Sequence, residues 1–403
     1  MTNPIAFENY PVDALMRVTQ RPEAVFVRGS GSWLWDSTGR GYLDLVQGWA
    51  VNTLGHSPAA VVEAISCQAG RLMHGGPGLY NDRAIALADR LASLSGLDRV
   101  FFTNSGAEAN EGAIKLARKF GQVHRGGAHT VISFANGFHG RTLATMAASG
   151  KPGFDRIFPP AVPGFVKVPF NDLGAVEQVI SRDTVAVMLE LVQGEAGVIE
   201  ADPVFAQGLR ALCDRHGLLL IVDEVQTGIG RCGTLFVHEQ FGVKPDIMTL
   251  GKGLGGGVPI GAVLAREAVC CFAPGDQGGT YNGNALVCAA ASAVLDAVTA
   301  PGFLAAVRER GAQLAAGMAA LSARHGLGAV RGRGLLLAMA LAEGIDANRV
   351  ADAARTAEGD GLLVNPVRPD RLRFMPALNC DTQELERACA LLDVALGAAY
   401  SPR

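Results

Sequence analysis

The stretch LLLIVDEVQTGIGR, residues 218–231, decides the fold. Five apolar residues run without a polar interruption and then stop at Asp223, the pattern of a short strand buried on both faces. A carboxylate at the carboxyl end of such a strand stands where open α/β sheets bind ligands. It is costly there unless a cation or hydrogen-bond donors meet it. The residues alone leave three uses for Asp223: a ligand contact, a cap for the next helix, or a partner for Arg231.

Working outward, the runs RVFFT, HTVISF, VAVMLELV, DIMTLG and GAVLA repeat the same kind of strand between about residues 56 and 300, each separated by a helical pattern. That alternation predicts a large, mostly parallel sheet with helices on both faces. Residues 1–55 hold strand-like pieces around a turn at Asp36–Gly39, and 301–403 turn to Ala- and Arg-rich helices with two short strands, GLLLAMAL and RLRFMPAL. The expected organisation is an N-terminal segment (1–55) packing with a small C-terminal α/β domain (301–403), and a large domain (56–300) between them. A chain of 403 residues suits about two to three domains.

Composition narrows the function. With 49% apolar and 18% charged residues and a net charge of −3, the chain lacks the basic stripe of a nucleic-acid binder. Its eight cysteines form no C-x-x-C and read as free thiols of a cytoplasmic protein. Its eight histidines show no metal-binding spacing, so no metal is expected. The beginning MTNPIAFENYPVDALM lacks a signal-peptide pattern, and ALVCAAASAVLDAVTA (285–300) reads as a buried helix.

Lysine is scarce, with only six in the chain. Lys119 reads as a helix-end cation, and Lys115, Lys151, Lys167 and Lys244 as solvated surface. Lys252 differs, because it stands among six glycines in TLGKGLGGGVPIGA (249–262), where backbone can approach a ligand closely. The G-x-G-x-x-G at 251–256 lacks a following helix, and Gly253 occupies the place of a P-loop hydroxyl, so neither nucleotide motif fits. In TNSGAEANEGAIKLARKF (103–120), Ser105 and Glu108 suggest a capping box, and Gly106 and Ala107 leave amide groups bare for a phosphate. A phosphate, a ring cation for Asp223 and a carbonyl for Lys252 together describe pyridoxal 5′-phosphate.

NSGAEANEGAIKLARK, FHGRT, LLLIVDEVQTGIGR, PDIMTLGKGLGGGVPIGA and VRGRGLLLAM, in that order, resemble the fold-type I, class III aminotransferases, and within them the acetylornithine aminotransferase branch. The likeness runs from about residue 20 to 395. It implies that Lys252 is the Schiff-base lysine, that Asp223 pairs with the pyridinium, that Gln226 bonds the ring hydroxyl and that Phe138 stacks on the ring. Ser105, Gly106 and Ala107 would surround the phosphate, completed by Thr280 of the other subunit of a homodimer with shared active sites. Arg141 would hold a substrate carboxylate, and Glu195 would pair reversibly with Arg373. The implied reaction moves the δ-amino group of N2-acetylornithine to 2-oxoglutarate, giving N-acetylglutamate 5-semialdehyde and glutamate, as in arginine biosynthesis. Gly48 favours that branch, because ornithine enzymes tend to carry a bulkier tyrosine there. Leu191, Trp49 and Asn282 depart from the family pattern, and succinylornithine, ornithine, 4-aminobutyrate and succinyl-diaminopimelate stand as alternative donors. Without chemistry, the same fold would be a silent binding protein.

Overall fold

Leu219–Asp223 is a strand with all five residues buried. The computed structural model, which describes residues 5–400, sets it in the middle of a seven-stranded sheet. The first four residues of the N-terminal segment and the last three of the C-terminal one lie outside the described residues. The order across the sheet is Arg99–Thr103, Gly261–Ala265, Ile247–Leu250, Leu219–Asp223, Thr184–Leu189, Thr130–Phe134, Phe165–Val168. Gly261–Ala265 runs antiparallel to both its neighbours, and the other pairings are parallel. The six apolar runs singled out between residues 56 and 300 all supply strands of this sheet. The seventh strand goes unread in the sequence because it is four residues long, pairs on one side only and carries the exposed Lys167.

Helices cover both faces, as the buried strands require. The helix Gly106–His124 lays Ala109, Ala113, Leu116 and Ala117 against Val131, Val185 and Ile221 of the sheet. Its start corrects the expected capping box. Ser105 Oγ accepts the Glu108 N–H at 3.2 Å, but the Glu108 carboxylate reaches past the cap and accepts the Asn104 N–H at 2.6 Å. Lys119 lies more than a turn before the helix end and pairs with Asp276 at 3.1 Å. The apolar stretch after Asn284 forms the helix Ala285–Val298, with Val287, Cys288, Ala291 and Leu295 buried. Among the described residues no single helix is long and apolar enough to cross a membrane.

Trp33–Asp36 and Gly41–Asp44 form an antiparallel hairpin whose turn is closed by the Gly39 N–H donating to Asp36 O at 3.0 Å. Gly361–Leu363 adds to it in parallel, with Leu362 opposite Leu43. Leu43 and Leu45 share one buried cluster with Leu337, Leu372 and Leu392. The C-terminal part holds five strands where the sequence suggests two; Val330–Arg333, Gly361–Leu363 and Asn365–Arg368 are the additions. They are short, and VRGR and NPVR carry arginine, glycine or proline in place of an alternating apolar pattern. Pro366 is tolerated because its strand lies at a sheet edge.

Candidate functional site

Asp223 leaves the sheet 3% exposed and fully partnered. Its Oδ1 accepts the Val225 N–H at 3.0 Å, and its Oδ2 accepts from Asn110 Nδ2 at 2.7 Å and His139 Nδ1 at 2.8 Å. A carboxylate can only accept here, so His139 Nδ1 must carry the proton. Asn110 is itself fixed, donating also to His139 O and accepting from Thr249 Oγ1, both at 2.7 Å. Burial alone would push the His139 imidazole down, but the Asp223 hydrogen bond and charge outweigh it and hold the imidazole above its ordinary value. Asp223 does not pair with Arg231, whose Nη1 donates to the carbonyls of Leu335 and Pro376.

Lys252 opens a single 3-10 turn, Lys252–Leu254, directly after the strand Ile247–Leu250, with a positive φ of 39°. The glycines around it serve close approach. A Cβ on Gly251 would stand 3.0 Å from Gly106 Cα, and one on Gly106 would stand 2.5 Å from Val225 Cγ1. The lysine segment, the start of the helix Gly106–His124 and the residues after Asp223 therefore touch through main chain and one valine. Burial first, then the Arg373 guanidinium, push the Lys252 ammonium below its ordinary value, and the carboxylates of Glu195, Asp223 and Glu190 offset this only in part. A lysine so placed has more neutral amine available as nucleophile or base.

Arg373 is wholly buried on the strand Arg371–Phe374. It donates to Asn365 Oδ1 from Nε at 3.0 Å and from Nη2 at 2.8 Å, to Gln226 Oε1 at 3.1 Å, and to Glu195 Oε1 at 2.8 Å. Burial would raise the Glu195 carboxyl, but Arg373, then Lys151 and Lys252, hold it at about 2. Glu190, at the carboxyl end of the strand Thr184–Leu189, accepts the Phe138 N–H at 2.8 Å. Burial lifts its carboxyl to about 7, against the pull of His139 and with the push of Asp223.

These groups surround a cavity of about 240 Å³ lined by Gly106, Ala107, Phe138, Arg141, Asp223, Gln226 and Lys252, along with Asn110, His139, Gly140, Glu190 and Val225. Ser105 stands at its edge as the helix cap. Glu195 and Arg373 adjoin the cavity through Gln226. Two predicted residues stay outside it. Thr280 is exposed on the loop before Asn284. Gly48 is exposed in the short helical segment Gln47–Ala50, which is left-handed, with positive φ at all four residues. That segment leads to Thr53, whose Oγ1 donates to Gly253 O at 2.8 Å, so it braces the lysine turn.

The cavity fits a phosphorylated pyridine aldehyde on a feature of its own. Gln226 Nε2 is buried with no protein partner. A donor left so is expensive unless a ligand acceptor meets it, and it lines the same cavity as Asp223 and Lys252. The sequence reading misses His139, Asn110, Glu190 and Asn365, and it misplaces Lys151, which lies 3.5 Å from Glu195 Oε2 rather than free on the surface. Glu190 carries the same signal as Asp223, an acid at the end of a buried strand. Asn110 sits one helical turn beyond Gly106, on the face that meets the sheet.

Residues 15–396 match the family model for class-III aminotransferases. An acetylornithine aminotransferase 2 of Bordetella bronchiseptica is 58% identical over 392 residues, 97% of this chain and 99% of that protein. Among solved structures, the ornithine aminotransferase of Toxoplasma gondii ME49 superposes with a TM-score of 0.91 at 32% identity, covering 96% of this chain and 93% of that one. The N-acetylornithine aminotransferase of Stenotrophomonas maltophilia K279a does so with a TM-score of 0.82 at 37% identity, covering 96% and 98%.

Proposed function

The chain belongs to the class-III aminotransferases, and from that premise we propose that it transfers the δ-amino group of N2-acetylornithine to 2-oxoglutarate, with pyridoxal 5′-phosphate as cofactor. The observation that carries this reading is the 58% identity, over 97% of the chain, with an acetylornithine aminotransferase. The products are N-acetylglutamate 5-semialdehyde and glutamate.

The amides of Gly106 and Ala107, at a helix start capped by Ser105, would hold the phosphate. Asp223 would hold the ring nitrogen, Gln226 Nε2 would donate to the ring oxygen, Phe138 would cover the ring and Lys252 would engage the aldehyde. When bound, the cofactor supplies an electron sink for the carbon that carries the transferred amine. His139 and Asn110 act on Asp223, holding its carboxylate in place through the hydrogen bonds they donate to Oδ2. Lys252 Nζ takes the proton from the amine-bearing carbon of the donor, a task its depressed pKa suits. Arg141 holds the donor's carboxylate with a guanidinium fork. Arg373, covered by Glu195 while the donor is present, becomes available to the second carboxylate of 2-oxoglutarate once Glu195 turns away.

The test is a panel of amine donors offered to the purified enzyme with 2-oxoglutarate. kcat/KM is expected to be highest for N2-acetylornithine; an equal or higher value for ornithine or 4-aminobutyrate would overturn the donor assignment.

In this reading the enzyme is a cytoplasmic homodimer in which Thr280 completes the partner's phosphate site. Support comes from the exposure of Thr280, of Tyr281 beside it at 62%, and of Tyr80 at 97%, next to Asn81, which donates to Gly283 O. Mixing inactive Lys252→Ala chains with chains crippled at Thr280 should restore part of the activity, because one class of hybrid site holds both intact residues. No recovery after verified subunit exchange would mean that each chain builds its whole site.

A further inference from the structure

Glu195 is bound twice. Its Oε1 accepts from Arg373 Nη2 at 2.8 Å, and its Oε2 lies 3.5 Å from Lys151 Nζ. The two cations are unlike. Arg373 is wholly buried and tied on its other nitrogens to Asn365 and Gln226. The Lys151 side chain is 31% exposed, on a flexible stem, and its ammonium stands 5.7 Å from the ring centre of Phe138 and 5.5 Å from that of Phe154. Phe138 lines the cavity, so Lys151 reaches the cavity's edge without entering it.

The three groups hold two positive charges and one negative. One positive charge is therefore left over while Glu195 covers Arg373. A donor with a single carboxylate, held by Arg141, leaves that balance alone. A dicarboxylate brings one further negative charge to Arg373 and makes the set neutral. For this to happen Glu195 must leave Arg373, and a partly buried carboxylate that loses its counter-ion is costly. Lys151 already touches the other oxygen of the same carboxylate, so a side-chain rotation suffices to hand it over.

We propose that Lys151 is a positioning residue for the amino acceptor: it holds Glu195 while Arg373 receives the second carboxylate of a dicarboxylic keto acid. The proposal deepens the function given above and rests on its reading of Glu195 and Arg373.

The experiment uses the full-length holoenzyme, with glutarate as an unreactive dicarboxylate and pentanoate as a monocarboxylate of equal length, both followed by calorimetry. Stopped-flow measurements of each half-reaction accompany them. Lys151→Met should weaken glutarate binding and raise the KM for 2-oxoglutarate by about fivefold, the scale of a partly exposed ion pair. Pentanoate binding and the rate with N2-acetylornithine should hold, and Lys151→Arg should restore glutarate. In a Glu195→Ala background, where Arg373 is permanently uncovered, Lys151→Met should no longer affect glutarate. Equal losses for glutarate and pentanoate, or a loss that persists without Glu195, would overturn the proposal and make Lys151 a direct carboxylate ligand. A wild type that binds glutarate no tighter than pentanoate would overturn the gate and the proposal together. One that binds glutarate but does not use N2-acetylornithine would overturn only the donor assignment.

Discussion

Lys252→Ala should lower turnover by roughly 10⁴-fold or more, since a positioned general base alone contributes up to about that factor and its covalent hold on the cofactor disappears with it. Borohydride reduction followed by mass spectrometry should find the cofactor fixed to the wild type and absent from the variant. Binding through the phosphate end should survive, because Gly106 and Ala107 are untouched. The fold should survive as well. A lysine whose folded-state pKa lies below its unfolded value opposes folding at pH values where the unfolded chain holds the proton. Burial and Arg373 place Lys252 in that class. Calorimetry of the two proteins without cofactor, near neutral pH, should therefore find the variant melting no lower than the wild type. Turnover within tenfold of wild type would remove Lys252 from the chemistry.

Asp223→Asn should cost on the order of a thousandfold in rate. An ion pair at about 4 Å in a medium of effective dielectric about 20 is worth roughly 4 kcal/mol, which corresponds to about three decades if it acts on the developing negative charge of the reaction. The surroundings add a second effect. One oxygen of Asp223 faces the N–H of Val225 and the other faces two donors, Asn110 and His139. An asparagine must turn its NH₂ toward one side or the other, so a donor meets a donor, at a cost of about 1–3 kcal/mol in stability. His139 reports on this independently. Its pKa is held up by Asp223, so the pair stabilises the fold below the ordinary imidazole value of 6.5 and loses that contribution as pH rises through the folded-state value. The stability gap between wild type and Asp223→Asn should accordingly be widest at acid pH, and the His139 resonances should titrate lower in the variant. A gap independent of pH, with an undiminished rate, would reduce Asp223 to a cap for Val225.

Lys252 and Asp223 could be found in the sequence because each breaks a local rule: a carboxylate ending an apolar run, a lone cation in a glycine tract. The six main strands were legible for a related reason, since burial on both faces forces uninterrupted apolar runs. What escaped depends on partners far along the chain. Asn110 and Asp223 are 113 positions apart, and Lys151 and Glu195 are 44 apart. No local pattern announces such pairs unless a known family supplies it. Lys151 stands between Gly150 and Pro152 and carries every local sign of a solvated turn; only the fold brings Glu195 to it. The left-handed segment Gln47–Ala50 is illegible for the opposite reason. Three of its four residues are not glycine, and L-residues resist that conformation by roughly 1–2 kcal/mol each, so the local sequence argues against the backbone that forms.

Gly106, Val225 and Gly251 meet at one point, and the meeting has a mechanical meaning. The spacing between the helix start and the lysine turn is gauged by main-chain atoms in close approach, with the Val225 side chain lying against both. Side chains can change rotamer to absorb an error; abutting backbones cannot. The two supports therefore behave as one casting. A methyl group added at Gly251 would push the lysine turn off the helix start, and no change of side chain in the cavity wall could bring the two back into alignment.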